Sequence, residues 1–300
     1  MLKPNQSFRK TRIAPTPSGF LHLGNVLSFA VTAALAEGTG AKILLRIDDL
    51  DRERVRKEYV QNIFDTLNFL EIPWQEGPRN FQEYETGYSQ VHRLNLYNDA
   101  LEKLRASGKV FACNCSRTQV RASSADEIYS GTCRDKTVSL DAHGVSWRLR
   151  TDGAKEITIH TLLEGVIKTN LPAGMQDFVV RKKDGYPAYQ LASVIDDLHF
   201  GVDLVVRGQD LYDSTLAQAY LASVLNGDGL KKITFHHHPL LNTASGSKLS
   251  KSAGDTSVRY LRQHGKKPSD VYTEIAVMLG FEENVKDWRR LAEFVSFKKM

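Results

Sequence analysis

The spacing of apolar residues changes character twice within the first fifty positions. "RIAP" is a short apolar run ended by a loop with two prolines and a glycine, which predicts a brief strand. "NVLSFAVTAALAEGTG" then stays apolar around most of its circumference and predicts a buried helix, stopped by Gly38 and Gly40. "AKILLRID" follows with the continuous apolar character of a parallel strand covered on both faces. A strand, a helix and a second such strand predict a parallel pairing, and hence a doubly wound α/β sheet.

Farther along, residues 88–108 carry a helical pattern, and a loop-rich segment holding every cysteine follows. A second β-rich stretch runs from "VSWRLRT" through "DFVVRKKDGYPAYQ". It leads to "VDLVVRGQDL" and to a predicted helix, "DSTLAQAYLASVL". The last sixty or so residues read as mainly helical and contain the loop "TASGSKLSKSAG". No fixed-period repeat and no low-complexity tract interrupts this order.

Composition narrows the class. With 300 residues, 41% of them hydrophobic and 25% charged, the chain can bury a sizeable core in one large domain or two. "MLKPNQSFRKTRIAP" has no apolar signal region, and no window approaches a membrane span, so a cytoplasmic protein without membrane partners is expected. Forty Lys plus Arg against 35 Asp plus Glu give a net charge of +5, which suits a polyanionic partner without requiring one. Three cysteines are an odd number and argue against a disulfide framework, leaving a metal site or buried thiols.

Two segments carry phosphate chemistry. In "APTPSGFLHLGN", His22 and Gly24 stand at the entrance of a helix, where unpaired N–H groups and the positive dipole end favour phosphate. Alone, a histidine before a helix is more often a cap. In "GSKLSKS", Lys248 and Lys251 lie in a Gly/Ser-rich loop able to bring two ammonium groups to a triphosphate, although alone it is also an ordinary basic linker.

Together the two segments resemble the paired ATP signatures of class I aminoacyl-tRNA synthetases. "RIAPTPSGFLHLGN", "LLRIDDLDRERV" and "DGYPAYQLASVIDDLHFGVDLVVRGQDL" narrow that resemblance to the glutamyl-tRNA synthetase family, over about residues 12 to 252. The resemblance implies a Rossmann-type parallel sheet with an inserted zinc-binding subdomain and a small C-terminal helical region. The expected divisions are 1–100 and 189–240 for the halves of the catalytic domain, 101–188 for the insertion and 241–300 for the K-L-S-K-S loop and helices. It also implies ATP with Mg²⁺ as substrate, held by Pro17, His22, Gly24, Asn25, Lys248, Ser250 and Lys251, with His22, Gly24, Lys248 and Lys251 as the catalytic group.

By the same resemblance, L-glutamate would be held by Arg12, Ala14, Thr16, Asp48, Tyr189 and Arg207. Arg12 would fork onto the side-chain carboxylate and Arg207 would neutralise the other, a geometry lysine cannot copy. Asp48 falls where the family usually has glutamate to meet the amino group, and its side chain is about 1.5 Å shorter. Ser193 and Gln190 depart from the asparagine and histidine common in tRNA-charging members, and "QVHR" keeps the glutamine and arginine of a family element while losing its serine.

"CNCSRTQVRASSADEIYSGTC" supplies Cys113, Cys115 and Cys133, and zinc prefers four ligands. From the residues alone the fourth stays open; His143 is nearest downstream, but "DAHG" reads as a turn. The resemblance names Tyr129, in the pattern C-x-C, Y-x-x-x-C of a truncated branch of the family, as the fourth ligand of one structural Zn²⁺. "HHHP", His236 to His238, is a poorer metal candidate because consecutive residues of a strand point to opposite faces.

That truncated branch glutamylates the queuosine base at the anticodon wobble position of the aspartate tRNA. The chain ends 48 residues after Ser252, which leads us to expect no anticodon-binding domain, a monomer, and RNA contacts around Arg117, Arg121 and Arg134. Two alternatives stand beside it: a short synthetase charging a tRNA 3′ end, and a catalytically idle RNA-binding paralogue.

Overall fold

The computed structural model describes residues 6–122, 126, 128–225, 233–241 and 257–295. Numbered along the chain, the strands are β1 (Lys10–Ile13), β2 (Lys42–Leu45), β3 (Val110–Cys113), β4 (Ser146–Leu149), β5 (Glu156–Thr161), β6 (Gly165–Asn170), β7 (Val179–Arg181), β8 (Leu204–Gly208) and β9 (Thr234–His238). The helices are α1 (Leu23–Thr39), α2 (Lys57–Phe69), α3 (Phe81–Glu83), α4 (Leu94–Ala106), α5 (Arg117–Ala122), α6 (Tyr189–His199), α7 (Tyr212–Val224), α8 (Val258–Gln263), α9 (Pro268–Met278) and α10 (Trp288–Glu293). The described residues fall into two compact units: those within 1–92, 202–210 and 235–300 form the first, and those within 93–201 and 211–234 form the second.

In the first unit β1 and β2 pair in parallel, with Ile13 opposite Leu45, and α1 connects them. The strand, helix, strand pattern of the sequence is therefore the observed architecture. Val26, Leu27, Ala30, Val31 and Ala33 are all buried along α1, which explains why its sequence is apolar on nearly every side. The helix runs through Gly38 and ends at Gly40, whose φ of 77° suits a glycine cap and whose N–H bonds the Ala36 carbonyl. α9 and α10 are anchored at the end of α2, where the Tyr272 hydroxyl donates to the Leu70 carbonyl at 2.6 Å and the Trp288 indole to that of Glu71 at 3.1 Å. β8 lies beside β1, and β9 beside β8.

The second unit contains an antiparallel sheet of order β3, β4, β7 and the hairpin β5–β6. Helix α6 packs against α4 and α7 and carries a fully buried charge: Asp196 receives both prongs of Arg93, at 2.8 and 3.1 Å, and the Tyr97 hydroxyl at 2.7 Å. The extended pattern expected to continue through "PAYQ" stops earlier. Tyr189 opens α6, whose buried Leu191, Ala192 and Val194 recur at helical rather than alternating spacing. Among the described residues, no helix is long and apolar enough to cross a membrane.

Candidate active site

The site residues of the first unit gather where β1 and β2 end, and ligands of open α/β sheets bind beyond the carboxyl ends of their strands. The parallel ladder continues past the strands: the N–H of Arg46 bonds the Ile13 carbonyl at 2.9 Å, and that of Asp48 bonds the Pro15 carbonyl at 3.0 Å. Asp48 is thereby fixed against the loop that carries Ala14, Thr16 and Pro17. Gly77 makes a close approach here; at φ 97°, a Cβ on it would lie 2.2 Å from the Leu45 carbonyl oxygen.

Arg12 leaves β1 with its guanidinium buried, and Nη1 donates to the Val206 carbonyl of β8 at 3.1 Å. Arg207, one residue on, is also buried and lies over the Phe235 ring at 5.3 Å. Phe235 stacks on His237 with an interplanar angle of 10°. Burial, and after it the charge of Arg207, pushes the His237 imidazole down to about 3, with Arg12 adding to the effect. Two arginines and a neutral histidine of one unit thus share a site, and the sequence had marked that histidine only as a poor metal candidate. Thr16 is exposed and Pro17 buried.

At the start of α1, the His22 ring accepts a hydrogen bond at Nδ1 from the Gly24 N–H at 3.1 Å, while Asn25 Oδ1 accepts from the His22 N–H at 3.1 Å. This is a reciprocal capping box in which imidazole replaces the usual hydroxyl. An accepting Nδ1 carries no proton, so the neutral ring holds its proton on Nε2. His22 also bridges Ser257, and the Val258 N–H bonds the Leu21 carbonyl at 2.9 Å. The chain therefore returns to the H-x-G entrance directly after the K-L-S-K-S segment. Lys248, Ser250 and Lys251 themselves lie outside the described residues.

In the second unit, Tyr189 is 43% exposed at the first position of α6, and Ser193 is buried one turn later. Gln190 is held from both ends of its amide, donating to Ser214 Oγ at 3.1 Å and accepting from Gln218 at 3.0 Å. The glutamine and arginine of "QVHR" have separate duties. Gln90 Oε1 accepts from the Asp49 and Leu50 N–H groups at 2.8 and 3.2 Å, whereas Arg93 pairs with Asp196.

The three cysteine sulfurs of the second unit lie within 4.8 Å of one another. Cys113 and Cys133 are buried and Cys115 is partly so. Burial pushes the Cys113 thiol up, but hydrogen bonds with Arg148, the Cys115 backbone and Tyr129 prevail and hold it at about 7. Burial, then hydrogen bonding with Cys133, pushes Cys115 to about 11. Tyr129 packs against this cluster, and its hydroxyl accepts from the Cys133 N–H at 2.8 Å. The donor set fits zinc: three sulfurs converge, one is already biased toward thiolate, and a phenol oxygen lies beside them. The three cysteines could hold the ion. Arg134 pairs instead with buried Asp177, so it is not a simple solvated charge.

A parallel α/β unit with buried arginines at its strand ends and a histidine-capped helix entrance defines a class I synthetase catalytic domain. More narrowly, the chain belongs to the family described as tRNA synthetases class I (E and Q), catalytic domain, whose family model matches residues 9–296. It is 37% identical to a protein of Symbiobacterium thermophilum named glutamyl-Q tRNA(Asp) synthetase, over 90% of this chain and 86% of that one. To a protein of Syntrophus aciditrophicus named glutamate–tRNA ligase 2 it is 32% identical, over 91% of this chain but 58% of the relative. Its fold matches the crystal structure of a glutamate-tRNA synthetase from Elizabethkingia anophelis with a TM-score of 0.74 at 21% identity; the match covers 96% of this chain and 65% of that structure.

Proposed function

We propose that this protein activates L-glutamate with ATP and Mg²⁺ and transfers the glutamyl group to the queuosine base of the aspartate tRNA. The observation that carries this reading is the 37% identity, over nearly the full length of both chains, to a relative named for that activity. The relative named as a glutamate–tRNA ligase is matched over little more than half its length.

In the first step a glutamate carboxylate oxygen attacks the α-phosphorus of ATP, forming the mixed anhydride and releasing pyrophosphate. No side-chain nucleophile is required, so the protein contributes positioning and charge stabilisation. Arg12 and Arg207 supply positive charge for the substrate carboxylates, and Asp48 meets the ammonium. His22 Nε2–H donates to a phosphate oxygen as negative charge builds there, with Gly24 fixing the ring, Asn25 fixing the His22 backbone and Pro17 shaping the loop before it. Lys248, Ser250 and Lys251 act on the phosphates from the K-L-S-K-S segment, and Mg²⁺ bound with ATP would supply further neutralisation of phosphate charge. The acceptor hydroxyl of the modified base then takes the acyl group and AMP departs.

Cys113, Cys115, Cys133 and Tyr129 would hold one Zn²⁺, which would tie the two ends of the Cys113–Cys133 segment together and take no part in acyl transfer. Asp48 in place of the longer glutamate belongs to the same reading as an adjustment of the pocket.

The test is glutamate-dependent pyrophosphate exchange, followed by acylation of tRNA with and without queuosine. The reading expects acylation of queuosine-containing aspartate tRNA even after its 3′-terminal adenosine has been removed. Acylation that ignores queuosine and requires the 3′ adenosine would overturn it in favour of a charging enzyme. Absence of exchange with tRNA present would overturn activation itself.

A further inference from the structure

Arg46 belongs to none of the expected glutamate or ATP positions, yet its side chain is only 2% exposed and is aimed along the chain at Asp48. Nε lies 2.7 Å from Oδ1 and Nη2 lies 3.0 Å from Oδ2, a two-pronged pairing of guanidinium and carboxylate. We propose that Arg46 is a positioning residue for substrate selection, holding Asp48 in the orientation that recognises the substrate amino group. The inference rests on the reading of Asp48 given above and deepens it.

Local backbone geometry makes the pair possible. Because Arg46 and Asp48 are both tied into the parallel ladder, at Ile13 and Pro15, they are two residues apart on an extended segment and project to one face. Ile47 and Asp49, on the opposite face, are fully buried. Asp49 is itself fixed by the Tyr84 hydroxyl at 2.7 Å, Ser89 Oγ at 2.5 Å, the Gln90 N–H at 2.8 Å and Arg52 at 2.5 Å. The backbone that bears Asp48 is thus held on both faces, leaving side-chain rotation as its main freedom. Arg46 removes that freedom by taking one acceptor position on each carboxylate oxygen, which sets the plane of the group.

This arrangement answers the short reach of aspartate. A longer carboxylate could swing to meet an ammonium, whereas a shorter one must already be placed, and placing it in advance removes an ordering cost from ligand binding. Arg46 therefore acts on discrimination rather than on the phosphate chemistry.

The measurement is calorimetric binding of L-glutamate and of glutarate, which keeps both carboxylates but lacks the amino group. The unaltered protein should prefer L-glutamate by about tenfold or more, the factor expected of one charge-assisted hydrogen bond. Arg46→Met should remove most of that preference while changing glutarate affinity by less than about twofold. Equal weakening of both ligands, or an unchanged preference, would overturn the inference. Should Arg46→Met fail to fold, Arg46→Lys keeps the charge without the paired fork and must still lower the preference; full retention by that variant overturns the inference too. Asp48→Asn separates the two levels of the argument. If it leaves the preference intact, Asp48 does not meet the amino group and the pocket reading fails. If it abolishes the preference and neither Arg46 variant lowers it, only the role of Arg46 fails.

Discussion

The imidazole of His22 and the backbone N–H of Gly24 form a hydrogen bond of 3.1 Å that makes the side chain proposed to meet the phosphates into the cap of the helix it precedes. Gly24 also lies directly under the ring, so that a Cβ there would meet His22 Cε1 at 3.0 Å and Nδ1 at 3.1 Å. Gly24→Ala should therefore tilt the ring and lower glutamate-dependent pyrophosphate exchange about tenfold or more, through loss of one aligned donor at the phosphate. Thermal stability should change little, because alanine is the better helix former by about 1 kcal/mol and offsets the local crowding. Exchange kinetics beside a melting curve check the prediction; a lowered melting temperature with intact kcat would contradict it.

The Cys133 N–H donates to the Tyr129 hydroxyl at 2.8 Å, so that oxygen orders the third cysteine as well as standing near the sulfurs. Tyr129→Phe should lower zinc retention during dialysis against a chelator and destabilise the insertion by about 1–3 kcal/mol, the range for one partner lost from a buried hydrogen bond. The KM for ATP in pyrophosphate exchange should stay unchanged. Zinc content per chain, measured by atomic absorption, decides the matter; equal content in both proteins would assign the fourth position to another group.

Legibility in the sequence followed the range of the physics involved. The β1–α1–β2 unit was readable because each element shows its own period over consecutive residues, and the helix entrance because the capping residues are neighbours. Gly38 misled as a stop signal, since glycine inside a helix is a modest penalty that the buried surroundings of α1 outweigh. The start of α6 was hidden because "YQLASV" is short and apolar enough to suit either period until Asp196 and Asp197 turn inward. The Arg46 pairing could have been found from "RID", where opposite charges two apart follow a strand, but whether such a pair is buried depends on tertiary neighbours. Asp49 required four partners that lie 3 to 41 residues away, and no local pattern announces them.

Arg93 and Asp196 form an ion pair whose side chains are 9% and 0% exposed, between the start of α4 and the body of α6. Removing either partner leaves a charge in a dry site. Arg93→Met or Asp196→Asn should each destabilise by about 3–5 kcal/mol, read as a shift of the urea midpoint. The double variant should recover part of the loss, because it leaves neither charge unmatched. Additive losses in the double variant would show that the two side chains do not act as a pair.

His236, 3% exposed in β9, sets a limit on stability toward acid. Burial, reinforced by the nearby His238, pushes its imidazole down to about 4 from the ordinary 6.5. The unfolded chain binds this proton more readily than the folded one, so the stabilisation is complete above about pH 6.5 and is lost as pH falls toward 4. A shift of this size corresponds to roughly 3 kcal/mol across that window. His236→Gln, which cannot take up the proton, should flatten the decline in urea midpoint between pH 6.5 and 4.5 while leaving the curve above pH 7 nearly level. The same slope in both proteins would mean that other buried groups, such as His238 with its similarly lowered imidazole, carry the acid sensitivity instead.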